Sequence, residues 1–314
     1  MRAECHREGL LSACQLVSAA LSSKDVKPIL TNVKAVADEG RCTLMATDLE
    51  VGIRLDVQGL EISEPGEAIL PAKKLVDILR EARDDTLTIE ADPGGCVVRG
   101  RTLEFEMPGE DPAQFPDLPT LSEETYHEIS AGSLREMVRR TMFAAADSEG
   151  RYTMSGVLWE LESETIRLVA TDGRRLALAE GVGTPQGGHT TQGQTPVVPK
   201  KAMGLLERNL QDDEEEPVKV CVTPNEILFR TGRAIIYSRL VEGRFPDYRP
   251  VIPEKHTVRV ELNAGAFHSA VRQAAIMTDK ESNKVAFGFS KGKLTLQSGA
   301  RSGRSKVELA LEYD

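Results

Sequence analysis

Two aspartates offer the plainest catalytic chemistry in the sequence. Asp48 sits in Ala46-Thr47-Asp48-Leu49-Glu50 and Asp172 in Ala170-Thr171-Asp172-Gly173-Arg174-Arg175. Paired carboxylates serve general acid–base catalysis or hold a hydrolytic metal. These two stand 124 positions apart in matching text, which marks a duplicated unit rather than one shared site. Asp-Gly is also a hairpin signal, because the carboxylate bonds its own turn backbone and Gly accepts positive φ. Both aspartates are therefore expected to be turn residues, with a metal-dependent hydrolase left as a third reading. Lys291-Gly292-Lys293 with Gly288 falls one residue short of a phosphate loop and lies between predicted strands. The five cysteines (Cys5, Cys14, Cys42, Cys96, Cys221) contain no CxxC, and the five histidines no HExxH. The cysteines read as reduced, small hydrophobic residues. With no nucleophile–base set, no metal ligands and no cofactor motif, a non-enzyme without cofactors is expected.

Recognition of phosphate or peptide fits the residues better. Lys24, Lys73-Lys74, Arg135, Arg139-Arg140, Arg151, Lys200-Lys201 and Arg272 fall on or beside predicted helices. Lys-Lys recurs at the same helix start in two places, and cations gathered on one face attract nucleic-acid phosphates. The formal net charge of −10 argues against a broad basic surface. Part of it is one run, Asp212–Glu216, expected as a solvated loop. Arg175-Leu176 with Met154, Pro246 and Val251 combines a cation with apolar surface, suited to a short peptide.

The elements that must position these residues repeat. Leu10, Cys14, Val17 and Leu21 form one apolar helical stripe, followed by predicted strands Val33–Val36, Cys42–Ala46 and Gly52–Val57. A helix opens at Pro71-Ala72-Lys73-Lys74, and further strands follow before Phe115-Pro116-Asp117. The order recurs with a helix over Leu134–Met142, strands, Val198-Pro199-Lys200-Lys201 and Phe245-Pro246-Asp247. Gly183–Thr195 reads as inserted loop. A third copy begins with Asn263 as helix cap and runs through strands at Val285–Phe289, Leu294–Gln297 and Lys306–Leu311. The fold class is α+β: three tandem similar domains at 1–122, 123–253 and 254–314, each with two helices on antiparallel sheets, the third holding only its first half. No window approaches about 18 apolar residues and the N-terminus lacks a signal-like apolar core, so a cytoplasmic protein without a membrane partner is expected.

Ala170–Ala177, Val198–Lys201, Leu240–Tyr248, Pro28-Ile29-Leu30, Ala46–Glu50 and Pro71–Lys74 together resemble the bacterial DNA polymerase III sliding clamps, the beta subunits, along the whole chain. The resemblance implies a DNA-clamp fold and a head-to-tail homodimer that closes a ring around duplex DNA and tethers the polymerase. By position it implies that Lys24, Lys73, Ser148, Arg151, Tyr152, Lys200 and Lys201 face DNA. It places Met154, Thr171, Gly173, Arg174, Arg175, Leu176, Pro246 and Val251 in a groove. That groove would receive linear motifs of the polymerase III catalytic subunit, the clamp loader, other polymerases and repair proteins. It assigns ring closure to Lys74, Phe105 and Met107 against Ile276, Met277, Arg304 and Glu308. Pro250 stands where the family can carry an arginine, and the family's Met-Pro-Met-Arg-like tail has no counterpart. A shortened clamp is therefore expected, with a peptide-binding module that does not encircle DNA as the alternative.

Overall fold

The computed structural model of the chain describes residues 1–22, 27–38, 40–120, 124–147, 153–210, 214–279 and 284–311. They divide into two compact units, Met1–Asp247 and Tyr248–Asp314.

The first unit holds two copies of one plan. The first copy runs β1 (Arg2–His6), α1 (Arg7–Ser18), β2 (Val33–Asp38), β3 (Arg41–Thr47), β4 (Val51–Val57), β5 (Leu60–Glu64) and β6 (Gly66–Leu70). It continues with α2 (Ala72–Glu81), β7 (Thr86–Asp92), β8 (Gly95–Arg99) and β9 (Glu104–Pro108). The second matches it element for element: β10 (Tyr126–Ser130), α3 (Ala131–Thr141), β11 (Gly156–Glu162), β12 (Thr165–Thr171), β13 (Leu176–Val182), β14 (Thr184–Gln186) and β15 (Val197–Pro199). Then come α4 (Lys200–Asn209), β16 (Pro217–Val222), β17 (Glu226–Arg230) and β18 (Ala234–Arg239). The second unit carries α5 (Ala264–Ala275), β19 (Ala286–Ser290), β20 (Lys293–Ala300) and β21 (Gly303–Ala310).

Within each copy the two halves interlock. β1 leaves its own half to lie between β5 and β7, while β6 pairs with β2. The second copy does the same with β10 on β16 and β15 on β11. A seam joins the copies: β4 and β18 pair from Val51↔Ser238 to Leu55↔Ala234. The result is one nine-stranded sheet, β14-β10-β16-β17-β18-β4-β3-β2-β6, running through both repeats. Ile53 and Ile236 face each other across the seam, both fully buried. Through this seam the two repeats share one compact unit, and the second unit opens at Tyr248.

The helices form because their apolar residues fall on one face. α2 follows Pro71, buries Ala72, Leu75 and Leu79, and turns Lys73 and Lys74 to solvent. α4 follows Pro199 and buries Ala202, Met203, Leu205 and Leu206. The Asn263 cap is as expected, its side chain accepting from the Ala266 N–H at 3.0 Å. α1 packs on α2, α3 on α4, and α1 also touches α4. Their buried faces and those of the sheets share a single apolar core from Cys5 to Ile236.

Some elements differ from expectation. β1, β5, β10 and β14 are strands that periodicity alone did not mark. In β1 the buried residues are only Ala3 and Cys5, and in β10 one is His127, so the apolar alternation is muted. α1 ends at Ser18, short of Leu21. Gly183–Thr195 is not free loop: it contains β14, and His189 and Thr191 are buried. In the acidic run, the Glu214 and Glu216 carbonyls accept from Gly132 and Ala131, the first N–H groups of α3. Those donors would otherwise lack partners. Arg259–Asn263 aligns with β1 and β10 on the helix cap, yet pairs with no strand among the described residues.

Candidate partner and nucleic-acid interfaces

The two Thr-Asp turns have one architecture. In the first, the Thr47 hydroxyl donates to the Val51 carbonyl and accepts from the Leu49 N–H, both at 2.9 Å. Asp48 Oδ1 accepts from the Glu50 and Val51 N–H groups at 2.9 and 2.7 Å. In the second, Thr171 donates to the Arg175 carbonyl at 2.7 Å and accepts from Gly173 at 3.0 Å. Asp172 Oδ1 accepts from Arg174 and Arg175 at 2.9 and 3.0 Å. Leu49 and Gly173 hold the same left-handed conformation, φ 79° and 82°. Thr171 pairs with Leu176, so the connection has four residues between partners rather than the two of a tight hairpin. The carboxylates are bound by backbone, which supports the turn reading, and no group of metal-binding side chains occurs among the described residues.

The second turn carries charge outward. Arg175 Nε donates to Asp172 Oδ2 at 3.0 Å, and its guanidinium lies 5.6 Å from the centre of the exposed Phe143 ring. The backbone N–H groups of Arg174 and Arg175, then the Arg175 side chain, hold the Asp172 carboxyl below its ordinary range. Beside it, Lys200 donates to Asp147 and to the Ala145 carbonyl, and lowers the Asp147 pKa; Asp147 also feels Arg175 and Asp172. The fold therefore brings Lys200 and Arg175, expected in different sites, into one charge cluster. Phe143 and Asp147 were missed because neither belongs to a motif.

Thr171 is the buried pin of this surface. Thr171→Val removes both hydroxyl bonds and is expected to cost about 1–3 kcal/mol, read by urea denaturation, while Thr171→Ser retains most of that. Within the first unit, Met154, Leu176 and Pro246 are half-buried, and Gly173 and Arg174 exposed. Val251 is 66 % exposed in the second unit.

The basic helix starts divide. Lys201 Nζ donates to the Ala20 and Leu21 carbonyls at 3.1 and 2.9 Å and to Asp48 Oδ2 at 2.6 Å, pinning the second repeat to the end of α1 and the first turn. Lys73 and Lys74 are exposed and make no ion pair among the described residues. Arg139 bonds Glu207 and Arg140 bonds Glu136. Lys24, Ser148, Arg151 and Tyr152 lie outside the described residues.

Of the residues expected at ring closure, Phe105 and Ile276 are exposed at 45 % and 74 %. Arg304 and Glu308 are exposed, with Glu308 bonded to Lys293 and Lys306, and Met277 is half-buried. Met107 is the correction: it belongs to the core of the first repeat, so β9 offers Phe105 and not Met107 for contact. All five cysteines are buried, and burial pushes the Cys5 and Cys14 thiols up to about 12. No described helix is long and apolar enough to cross a membrane.

Two family models match the chain: the N-terminal domain of the DNA polymerase III beta subunit over residues 1–119 and its central domain over 128–247. The beta sliding clamp of Haemophilus influenzae is 30% identical over 297 residues, covering 94% of this chain and 80% of the relative. That of Escherichia coli is 30% identical over 298 residues with the same coverage. Among solved structures, a sliding clamp from Pseudomonas aeruginosa bound to griselimycin superposes with a TM-score of 0.90 at 29% identity, covering 100% of this chain and 85% of that one. A sliding clamp from Bacillus subtilis gives 0.89 at 25% identity, with 99% and 84% covered.

Proposed function

The chain belongs to the DNA polymerase III beta subunit family, the beta sliding clamps, and from that premise we propose how its surfaces serve replication. The protein is a non-catalytic processivity factor that partners DNA and DNA polymerase. One observation carries the reading to particular residues: Lys73 and Lys74 in the first turn of α2. The helix dipole favours anions at that end, by about 0.3–1 kcal/mol per charge, so cations there do not serve their helix. Lysines beside free helix N–H groups favour a phosphate instead. Lys73 thus takes a DNA phosphate, with Lys200 exchanging Asp147 for one, and Lys24, Ser148, Arg151 and Tyr152 are assigned to the same role by family resemblance alone. Lys201 contributes field rather than contact, since its ammonium protons are engaged.

The turn at Thr171, Gly173, Arg174, Arg175 and Leu176, with Met154, Pro246 and Val251, receives linear motifs of the polymerase III catalytic subunit, the clamp loader, other polymerases and repair proteins. The repeats 1–122, 123–253 and 254–314 act as successive segments of a head-to-tail dimer that encircles duplex DNA in the cytoplasm. Edge strands support closure: β9 ends one sheet with Glu104, Phe105 and Glu106 exposed, and β21 ends another with Arg304 and Lys306 exposed. Unpaired edges of opposite charge are suited to pairing between copies, with Lys74, Ile276 and Met277 alongside.

Loading onto nicked circular DNA with a clamp loader tests this. Protein is expected to stay on the circle and to leave once it is linearised. Lys73→Glu/Lys74→Glu is expected to lower the retained amount roughly tenfold near physiological salt. A chain never retained on a circle overturns encirclement, and full retention of the double variant overturns the lysine assignment.

A further inference from the structure

A cavity of about 1380 Å³ opens where the two repeats of the first unit meet. It exceeds the roughly 300–1,000 Å³ of ordinary small-molecule sites, and its walls are braced by backbone hydrogen bonds. Arg239 N–H donates to the Glu50 carbonyl, Leu240 to Asn225 and Val241 to Val197, at 2.8, 2.9 and 2.8 Å. Leu240 and Val241 give it half-buried apolar surface. Its charge is one-sided. Of its two cations, Lys201 is bound to Asp48, and Arg239 bonds Tyr237 and lies 3.7 Å from Glu50. Glu50 is 64% exposed, so that pair neutralises little. Glu226 has the neutral Tyr237 hydroxyl at 3.4 Å. Glu242 is exposed and makes no hydrogen bond or ion pair among the described residues. The repeat sharpens the contrast: Glu50 and Val51 occupy the positions of Arg174 and Arg175, 124 residues on.

We infer that this junction groove binds an extended peptide segment whose apolar side chains are flanked by lysine or arginine. The apolar wall takes the side chains, and Glu50, Glu226 and Glu242 take the cations. DNA is excluded by the acidic rim. A second copy is disfavoured in this groove because its acidic rim would face a chain that is itself net acidic, whereas ring closure uses edges of opposite charge. The site is separate from the Arg175 surface and does not depend on ring closure.

The test is fluorescence anisotropy with a fluorescein-labelled nonapeptide of alternating lysine and leucine, against a glutamate–leucine counterpart. Saturable binding of the lysine peptide alone is expected, weakened at least tenfold by Glu50→Lys/Glu242→Lys. Glu61→Lys/Glu64→Lys on β5 changes net charge equally and is expected to leave binding within twofold. Glu242→Gln, at an exposed side chain without partners, is expected to weaken binding about threefold and serves if the double variant fails to fold. Absence of saturation up to millimolar peptide overturns the inference. Equal weakening by the β5 variant also overturns it, because attraction would then be to the whole chain.

Discussion

Trp159→Ala is expected to lower the unfolding free energy by about 3–5 kcal/mol, the largest effect of a single truncation in the first unit. Trp159 is fully buried on β11, and its side chain ties three elements together. The indole N–H donates to the Met203 sulfur of α4 at 3.4 Å, and the ring lies 5.2 Å from Phe229 of β17, tilted by 52°. Its backbone N–H donates to the Pro196 carbonyl at 2.9 Å. Truncation leaves a void that these neighbours cannot close, because a helix and two sheets fix its walls. Trp159→Phe fills much of that space and is expected to cost only about 1–2 kcal/mol, from the smaller ring and the lost contact to the Met203 sulfur. The chain has a single tryptophan, so far-UV circular dichroism must replace intrinsic fluorescence as the readout. A loss below about 1 kcal/mol would mean that α4 is held by other contacts. DNA retention should fall with stability, since α4 carries Lys200 and Lys201.

Stability is expected to decline as the pH drops below about 6.5, through the buried pair His127 and His189. Their Nδ1 atoms are 2.7 Å apart. His127 Nε2 faces the Ser163 carbonyl at 2.9 Å and must donate. His189 Nε2 accepts the Val222 N–H at 3.0 Å. His189 Nδ1 therefore donates to His127 Nδ1, and the chain of bonds is complete with both rings neutral. A further proton on His127 Nδ1 sets donor against donor, and one on His189 Nε2 displaces the Val222 N–H bond, leaving only the longer 3.3 Å contact to the Val222 carbonyl. Burial lowers both pKa values, with the proximity of His127 adding to the effect on His189. The sign follows: the unfolded chain binds the proton more readily, so the stabilisation is full above about 6.5 and is lost as pH falls toward the lowered folded values. The slope is up to about 1.4 kcal/mol per pH unit for each histidine that titrates. Asp147 and Asp172, whose folded pKa values are also lowered, lose their contribution only below about pH 4, in a separate window. Urea titrations at pH 7.5, 6 and 5 measure the slope. His127→Gln/His189→Gln is expected to flatten it at a cost of about 2–3 kcal/mol at pH 7.5. An unchanged slope in that variant would assign the acid sensitivity elsewhere.

How far the sequence leads depends on what each residue must do. The repeats were legible because Thr-Asp turns and Pro-initiated helices are local: their bonds run to the next three or four residues. The role of Asp48 and Asp172 as turn residues was legible for the same reason. The seam of β4 and β18 was not, since Ile53 and Ile236 look like any buried strand residues until the partner is known. The strap around His189 was hidden by its Gly, Thr and Gln content, and its anchor is a histidine pair 62 residues apart in sequence. Lys201 shows the limit most clearly. A Lys-Lys pair at a helix start suggests two equal phosphate ligands, yet Lys201 is bonded to carbonyls and Asp48 while its counterpart Lys74 is exposed.

The exchange of first strands between half-repeats has a consequence for synthesis. β1 leaves the ribosome ahead of the rest of its repeat, but Arg2 pairs with Glu90. At roughly 5–20 residues per second, its partner on β7 emerges about 4–18 s later. During that interval α1 and the β2–β4 hairpins form behind it, while β1 has no partner until β5 emerges and only that one until β7 follows. The newborn repeat thus completes its pairing backwards, seating β1 fully only late, and β10 repeats the delay while it waits for β16. Variants that slow β7 or β16 prolong the life of a half-paired strand rather than of an unfolded domain.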